Sequence, residues 1–173
     1  SYLGRMHVGT WPTGSVMRYD GRRNWSSTGR LGEEREVMGM LVYNGKLYAG
    51  TLPLAQVYRY DCAGGWSLTG RLDHTPEVRY RRAWSMAVWN GKLFCGTLPS
   101  GHVWRMEAGA NATHDSALAP GWRHVAAVRE RGILKLYVDG ALVNSSHEFS
   151  PADYDLTNNE PLLIGFGAHH SFT

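Results

Sequence analysis

A twelve-residue pattern occurs three times before residue 108, and a chain built that way folds as repeated units stacked on one another. Gly9-Thr10-Trp11-Pro12-Thr13-Gly14-Ser15-Val16-Met17-Arg18-Tyr19-Asp20 returns as Gly50-Thr51-Leu52-Pro53-Leu54-Ala55-Gln56-Val57-Tyr58-Arg59-Tyr60-Asp61. It returns again as Gly96-Thr97-Leu98-Pro99-Ser100-Gly101-His102-Val103-Trp104-Arg105-Met106-Glu107. The offsets are 61 − 20 = 41 and 107 − 61 = 46 residues, and the five extra residues fall between Val78 and Trp84. Two shorter stretches repeat at the same offsets. Trp25-Ser26 with Thr28-Gly29-Arg30-Leu31 becomes Trp66-Ser67 with Thr69-Gly70-Arg71-Leu72, and Val42-Tyr43-Asn44-Gly45-Lys46-Leu47-Tyr48 becomes Val88-Trp89-Asn90-Gly91-Lys92-Leu93-Phe94.

Within one repeat the periodicity is that of strands. Asn44-Gly45 and Asn90-Gly91 each separate two apolar runs, and Asn-Gly suits the type I′ turn whose twist matches a two-residue hairpin. Met38 to Tyr43 therefore pairs with Lys46 to Gly50. Pro53 and Pro99 cannot donate to a ladder and end the second strand of each unit. Gln56 to Asp61 follows as a third strand, and a turn delivers Trp66 to a fourth. Gly at 21 of 173 residues and aromatic residues at 12% supply the turn and strand residues such a chain needs. The expected fold is all-β. Residues 37 to 72 form a complete four-stranded antiparallel blade, residues 84 to 107 begin the next, and the first repeat lacks its opening strand.

Tyr19 with Trp25 and Tyr60 with Trp66, each pair six apart across a turn, make the repeat resemble a kelch-like propeller blade. Asp20 to Trp25 and Asp61 to Trp66 also resemble the Asp-box of sialidase-type propellers, with Arg18 and Arg59 where that motif has Ser or Thr. In both families these residues hold the blade together and touch no substrate. The resemblance spans about residues 3 to 107 and implies a partial β-propeller. Since a closed ring takes 4 to 8 blades, the chain is expected to be a fragment of a larger protein.

After Glu107 the repeat breaks. Residues 108 to 120 are small, polar and unpatterned, as in a linker. Trp122 to Arg129, Ile133 to Val138 and Ala141 to Asn144 then read as strands, joined by Glu130-Arg131-Gly132 and by Asp139-Gly140. Leu134, Leu136 and Val138 share one face, with Lys135 and Tyr137 on the other, which predicts a sheet wet on one side. Trp122-Arg123-His124-Val125-Ala126, Leu136-Tyr137-Val138-Asp139-Gly140 and Leu163-Ile164-Gly165, in that order, resemble the back half of a laminin-G-like, concanavalin A-like jelly-roll domain. The resemblance covers about residues 120 to 173 and implies a partial antiparallel β-sandwich. Members of that superfamily often bind carbohydrate and some hydrolyse glucans, but the Glu-x-Asp-x-x-Glu motif of the hydrolases is absent from these residues. The expected domains are 1–107, repeats; 108–120, linker; and 121–173, partial sandwich.

Composition excludes several classes. Apolar residues at 43% with charged residues at 19% exclude intrinsic disorder. No apolar run approaches the ~20 residues that span a bilayer. The net charge of +3 comes from scattered Arg without a basic block, which gives no argument for nucleic acid. Cys62 and Cys95 lie in no metal-ligand spacing, and no disulfide is expected between them. The sequons at Asn24, Asn111 and Asn144 weigh neither way.

No cofactor or metal is expected. His169-His170 on a strand would point to opposite faces. Asp153, Asp155, Asn158 and Asn159 lack EF-hand spacing, Ser145-Ser146 has no nucleophile-elbow setting, and Gly165-Phe166-Gly167 precedes no helix that could hold phosphate. The candidate ligand-binding loop is Asp73 to Arg82, which carries the five-residue insertion. There Arg79, Arg81 and Arg82 gather beside His74 and Glu77, and guanidinium forks suit carboxylates or sulfates. The competing reading is a solvated charged loop or an inter-blade ion pair. In a propeller that loop shares an end with Thr51 to Gln56 and Thr97 to His102, which adds His102.

The expected function is a carbohydrate- or protein-binding module, secreted or at a cell surface, recognising a glycan or protein ligand of acidic character. The alternative is part of a sialidase-like or other glycoside hydrolase, which needs paired carboxylates; its candidates are Glu33, Glu34, Glu36 and Glu77. Unpaired sheet edges are expected to favour self-association.

Overall fold

The structure, a computed structural model, describes residues 1–150. Within them every regular element is a strand apart from one 3-10 turn at Cys62–Gly64. The strands are β1 (His7–Gly9), β2 (Ser15–Gly21), β3 (Asn24–Arg30), β4 (Glu36–Tyr43), β5 (Lys46–Leu52), β6 (Gln56–Tyr60), β7 (Trp66–Arg71), β8 (Arg82–Trp89), β9 (Lys92–Leu98), β10 (Val103–Met106), β11 (Val125–Glu130), β12 (Ile133–Val138) and β13 (Ala141–Ser145). They form four sheets, each ordered as in the chain: β1-β2-β3, β4-β5-β6-β7, β8-β9-β10 and β11-β12-β13. The second repeat is thus a complete four-stranded antiparallel meander, the first lacks an opening strand, and the third ends on its third strand.

The turns follow local chemistry. Asn44 and Gly45 have φ of +46° and +70°, Asn90 and Gly91 of +47° and +70°, and Tyr43 pairs directly with Lys46. Positive φ at both central residues is what a type I′ hairpin needs. Arg22 and Arg23 (φ +50° and +66°) make a similar two-residue turn between Gly21 and Asn24 without any glycine at the centre. The β5 and β9 strands end at Leu52 and Leu98, immediately before prolines that have no N–H to continue the ladder.

Burial concentrates in the complete sheet, where β5 is buried along its length except at Lys46. A core of Val16, Leu31, Val37, Ala49 and Tyr58 joins the first sheet to the second, with Met40 and Trp66 packed on it. The close approach requires glycine. A Cβ on Gly9 would lie 2.6 Å from Val37 Cβ, and one on Gly50 would lie 2.4 Å from the Ala83 carbonyl oxygen. Since 9 + 41 = 50 and 37 + 46 = 83, the second and third sheets meet as the first and second do.

Each repeat also carries its own ion pair. Asp20 accepts from Arg18 at 2.7 Å and from Ser26, while Asp61 accepts from Arg59 at 2.8 and 2.9 Å and from Ser67 at 2.9 Å. A cation at equivalent positions, Arg5, Lys46 and Lys92, faces Asp20, Asp61 and Glu107 at 3.3, 3.6 and 3.7 Å.

The described residues divide into two compact units, Ser1–Ala87 with Phe94–Arg105, and Val88–Leu93 with the chain from Met106 onward. In the second unit the structure corrects three expectations. The β11 strand begins at Val125, not Trp122: the His124 carbonyl still accepts from the Asp139 N–H at 2.8 Å, but the His124 N–H donates to Asp139 Oδ1 (2.9 Å) in place of a main-chain carbonyl, and Arg123 Nη1 donates to Asp139 Oδ2 (2.8 Å). Trp122 is left fully exposed. The turn into β12 holds two residues, Arg131 and Gly132, since Glu130 already pairs with Ile133. All six residues of β12 are half-buried, so neither face is the dry one that alternation predicts. The strand at Leu163 to Gly165, the sites at Asp153, Asp155, Asn158 and Asn159, His169-His170 and Gly165-Phe166-Gly167 lie outside the described residues.

Candidate functional site

The Gly-Thr-x-Pro segments are closed turns of one design. Thr10 Oγ1 donates to the Ser15 carbonyl at 2.8 Å, Thr51 Oγ1 to that of Gln56 at 2.9 Å, and Thr97 Oγ1 to that of His102 at 3.2 Å. The peptide before each proline is cis. The loops joining one repeat to the next land on these turns. Glu34 Oε2 accepts from the Leu54 N–H at 3.0 Å, and Asp73 Oδ2 accepts from the Ser100 N–H at 3.0 Å. The Arg81 N–H donates to the Pro53 carbonyl at 2.9 Å. Segments 51–56, 73–82 and 97–102 therefore meet at one end of the repeat sheets, while the Asn-Gly hairpins close the other ends of the β5 and β9 strands.

Two buried acids make these contacts, and sequence reasoning missed both as clamps. Glu34 and Asp73 are 0% and 1% exposed. Burial pushes the Glu34 carboxyl above its ordinary value against the pull of the Leu54 N–H, and its Oε1 has no hydrogen-bond partner. Burial acts the same way on Asp73, but hydrogen bonds from Thr75 Oγ1 (2.6 Å), Thr75 N–H (2.8 Å) and Ser100 N–H outweigh it and hold the carboxyl well below the usual range. The repeat pattern hides the pair, because Glu34 stands three residues after Leu31 and Asp73 one after Leu72. Of the other candidate carboxylates, Glu33 and Glu77 are exposed and Glu36 half-buried.

The arginines of the insertion do not act as one cluster. Arg81 Nε donates to the Thr75 carbonyl at 2.7 Å, which ties it into its own loop. Arg79 stacks on Tyr80 at 5.0 Å, while Arg82 lies 5.9 Å from Tyr80 and 5.8 Å from Trp84. Arg79, Tyr80, Arg82 and Trp84 thus form a ladder of alternating cations and rings, with Tyr80 36% and Trp84 49% exposed. The interleaving in Arg79-Tyr80-Arg81-Arg82-Ala83-Trp84 was the available signal. His74 and Glu77 are exposed, Glu77 with a φ of +56°. No ion pair joins Glu77 to the three arginines among the described residues. His102 is exposed and sets its ring edge-on to Trp104 at 6.4 Å.

The second unit holds a cleft of about 500 Å³ lined by Trp89, Asn90, Thr113, His114, Asp115 and Asn144. Its polar wall is internally bonded. The Asn90 N–H donates to Asp115 Oδ2 at 2.8 Å, and Asn144 Nδ2 donates to the Thr113 carbonyl at 2.8 Å and to Asn90 Oδ1 at 3.1 Å.

No curated protein matches the chain. A family profile does, over residues 75–173, or 173 − 75 + 1 = 99 of 173. The match starts ahead of the third sheet and so takes in the insertion loop, where sequence reasoning set the start of the resemblance near residue 120. With more than half its length inside that match and every described sheet antiparallel, the chain belongs to the concanavalin A-like lectin/glucanases superfamily.

Proposed function

We propose that the chain is a secreted or cell-surface binding module for acidic glycans, with the ligand held at the end of the repeat sheets where the insertion lies. The observation that carries this reading is the ladder of Arg79, Tyr80, Arg82 and Trp84. A half-exposed indole offers the apolar face of a sugar ring a flat surface, and a guanidinium beside it offers a fork to a carboxylate or sulfate. Arg79 and Arg82 bind the anion, Arg81 shapes the loop, and His74, Glu77 and His102 line the rim. The superfamily's lectin and glucanase members favour a saccharide over a protein ligand. On this reading the repeats, residues 1–107, are propeller blades of kelch or sialidase type serving as scaffold, followed by a linker over 108–120 and the partial sandwich from 121.

The test is a glycan screen with purified chain. Uronic, sialic or sulfated sugars should bind better than neutral ones, and binding should weaken with salt, since exposed charges are screened over about 8 to 10 Å at physiological ionic strength. Arg79→Ala, Arg82→Ala and Trp84→Ala should each weaken it, and Arg81→Lys less. Acidic-glycan binding indifferent to all of these would return the loop to a solvated connection. A second location is favoured by one observation, the 62% exposure of Trp89 beside hydrogen-bonding Asn and Asp groups in the second unit. Binding lost in Trp89→Ala alone would move the site there. Chromogenic glycosides test the hydrolase alternative, for which turnover lost in Glu77→Gln is the signature.

A further inference from the structure

Among the described residues the third sheet has no counterpart of the fourth strand that completes the second, and the first two sheets show what that strand does. Its tryptophan reaches back to the preceding sheet. Trp66 on β7 donates its indole N–H to Thr28 Oγ1 at 3.2 Å, and its Cδ1 lies 3.2 Å from where a Cβ on Gly29 would stand. The strand also carries a threonine that ties it to its neighbour, since Thr28 Oγ1 donates to the Val16 carbonyl and Thr69 Oγ1 to that of Val57, at 3.0 and 2.7 Å.

On the second sheet the same socket stands open. Thr69 and Gly70 are the counterparts of Thr28 and Gly29, and a Cβ on Gly70 would meet nothing within 4 Å. The tryptophan that would fill it falls at 66 + 46 = 112, where the chain has alanine. In the third sheet β10, the counterpart of β2 and β6, is an edge strand, with Val103 73% and Trp104 43% exposed, and Leu68 of the second sheet is 52% exposed. An open edge next to an uncovered Thr-Gly pair, of the kind that seats Trp66 on the first sheet, is a template for strand addition, in which main-chain bonds give affinity and a side-chain site gives specificity.

We infer that the β10 edge at Val103–Arg105 takes up an extended peptide strand from a partner protein, antiparallel to β10, whose Trp enters the Thr69–Gly70 socket and whose Thr, three residues on, donates to the Val103 carbonyl. The partner strand is defined by the pattern Trp-Ser-x-Thr-Gly that fills the equivalent place in this chain at Trp25 to Gly29 and Trp66 to Gly70. The inference does not depend on the glycan reading.

The probe is a fluorescein-labelled synthetic peptide with the sequence of Asp20–Leu31, titrated with the full chain and followed by anisotropy. Saturable binding is expected, weakened roughly tenfold or more when the peptide's Trp becomes Ala, and abolished when its Ser27 equivalent becomes Pro and removes a ladder N–H. Gly70→Val in the chain should block the socket at no steric cost to the fold, because that glycine has no positive φ and no near neighbour. Val103→Lys is a second, independent block of the edge. Peptide binding that ignores both the Trp→Ala peptide and the Gly70→Val chain, or no binding at all, overturns the inference. A chain that elutes as a dimer and is split by Gly70→Val also overturns it, since a second copy would then hold the edge.

Discussion

The second sheet and the β11-β12-β13 sheet use the same turn chemistry and differ in what covers them. Asn44-Gly45 and Asp139-Gly140 both turn the chain in two residues with positive φ at each. Yet β5 is buried along nearly its whole length, while in β11 to β13 no side chain falls below the half-buried class. A hairpin is therefore a local decision and a core is not. What makes the core is a neighbouring sheet brought near enough to touch, through Gly9 and Gly50, and held by a buried acid on the next repeat's turn.

The largest effect is expected at the core. Leu31→Ala, at a fully buried site, should destabilise by about 2–5 kcal/mol in denaturant melts, and Leu136→Ala in β12 by about 1 kcal/mol. Equal losses would mean that the later sheet is as well packed as the repeats. Next comes the Asp73 clamp. Asp73→Ala orphans the Ser100 and Thr75 N–H groups and should cost about 1–3 kcal/mol near neutral pH. Because the folded-state pKa of Asp73 is depressed, its contribution is full above the unfolded value and fades as pH falls toward the folded one. Asp73→Asn should flatten that acid limb.

Glu34 carries the opposite sign. Its folded-state pKa is raised, so folding favours the protonated form and stability declines as pH climbs from the unfolded value through the folded one. Glu34→Gln should remove that decline and sit within about 1 kcal/mol of the parent, on the stabilising side, above that window. A large loss at neutral pH would show that the buried charge is needed. The smallest effect belongs to half-buried Asp61, which Arg59 holds at about 2, below the ordinary 3.8. Asp61→Asn should alter the pH profile only between those values, and a shift near neutrality would contradict the assignment.

Most of the strand plan of the repeats was legible because hairpin residues, prolines and alternation are local, and the repeat supplies each signal more than once. The Arg22-Arg23 turn was not, since nothing in two arginines announces left-handed backbone. The faces of β12 were misread for a related reason: alternation says which residues share a side and cannot say which side another layer covers. At the candidate site the meeting of the three segments followed from strand order alone. The separation of Arg81 from Arg79 and Arg82 did not, because it depends on one carbonyl, Thr75, that a linear pattern cannot place.

The threonine-closed turns have a consequence for redesign. Thr10, Thr51 and Thr97 complete each turn from within, and in two of the turns the same hydroxyl also meets a side chain inside the turn, Thr13 Oγ1 at 2.7 Å and Ser100 Oγ at 2.8 Å. The segments Trp-Pro-Thr-Gly, Leu-Pro-Leu-Ala and Leu-Pro-Ser-Gly keep the proline and a small residue of positive φ, and vary the residues on either side of the proline. Positions 11 and 98, each just before the proline, are 70% and 41% exposed. These are places where foreign residues can be grafted to alter what the surface recognises while the sheets beneath stay as they are.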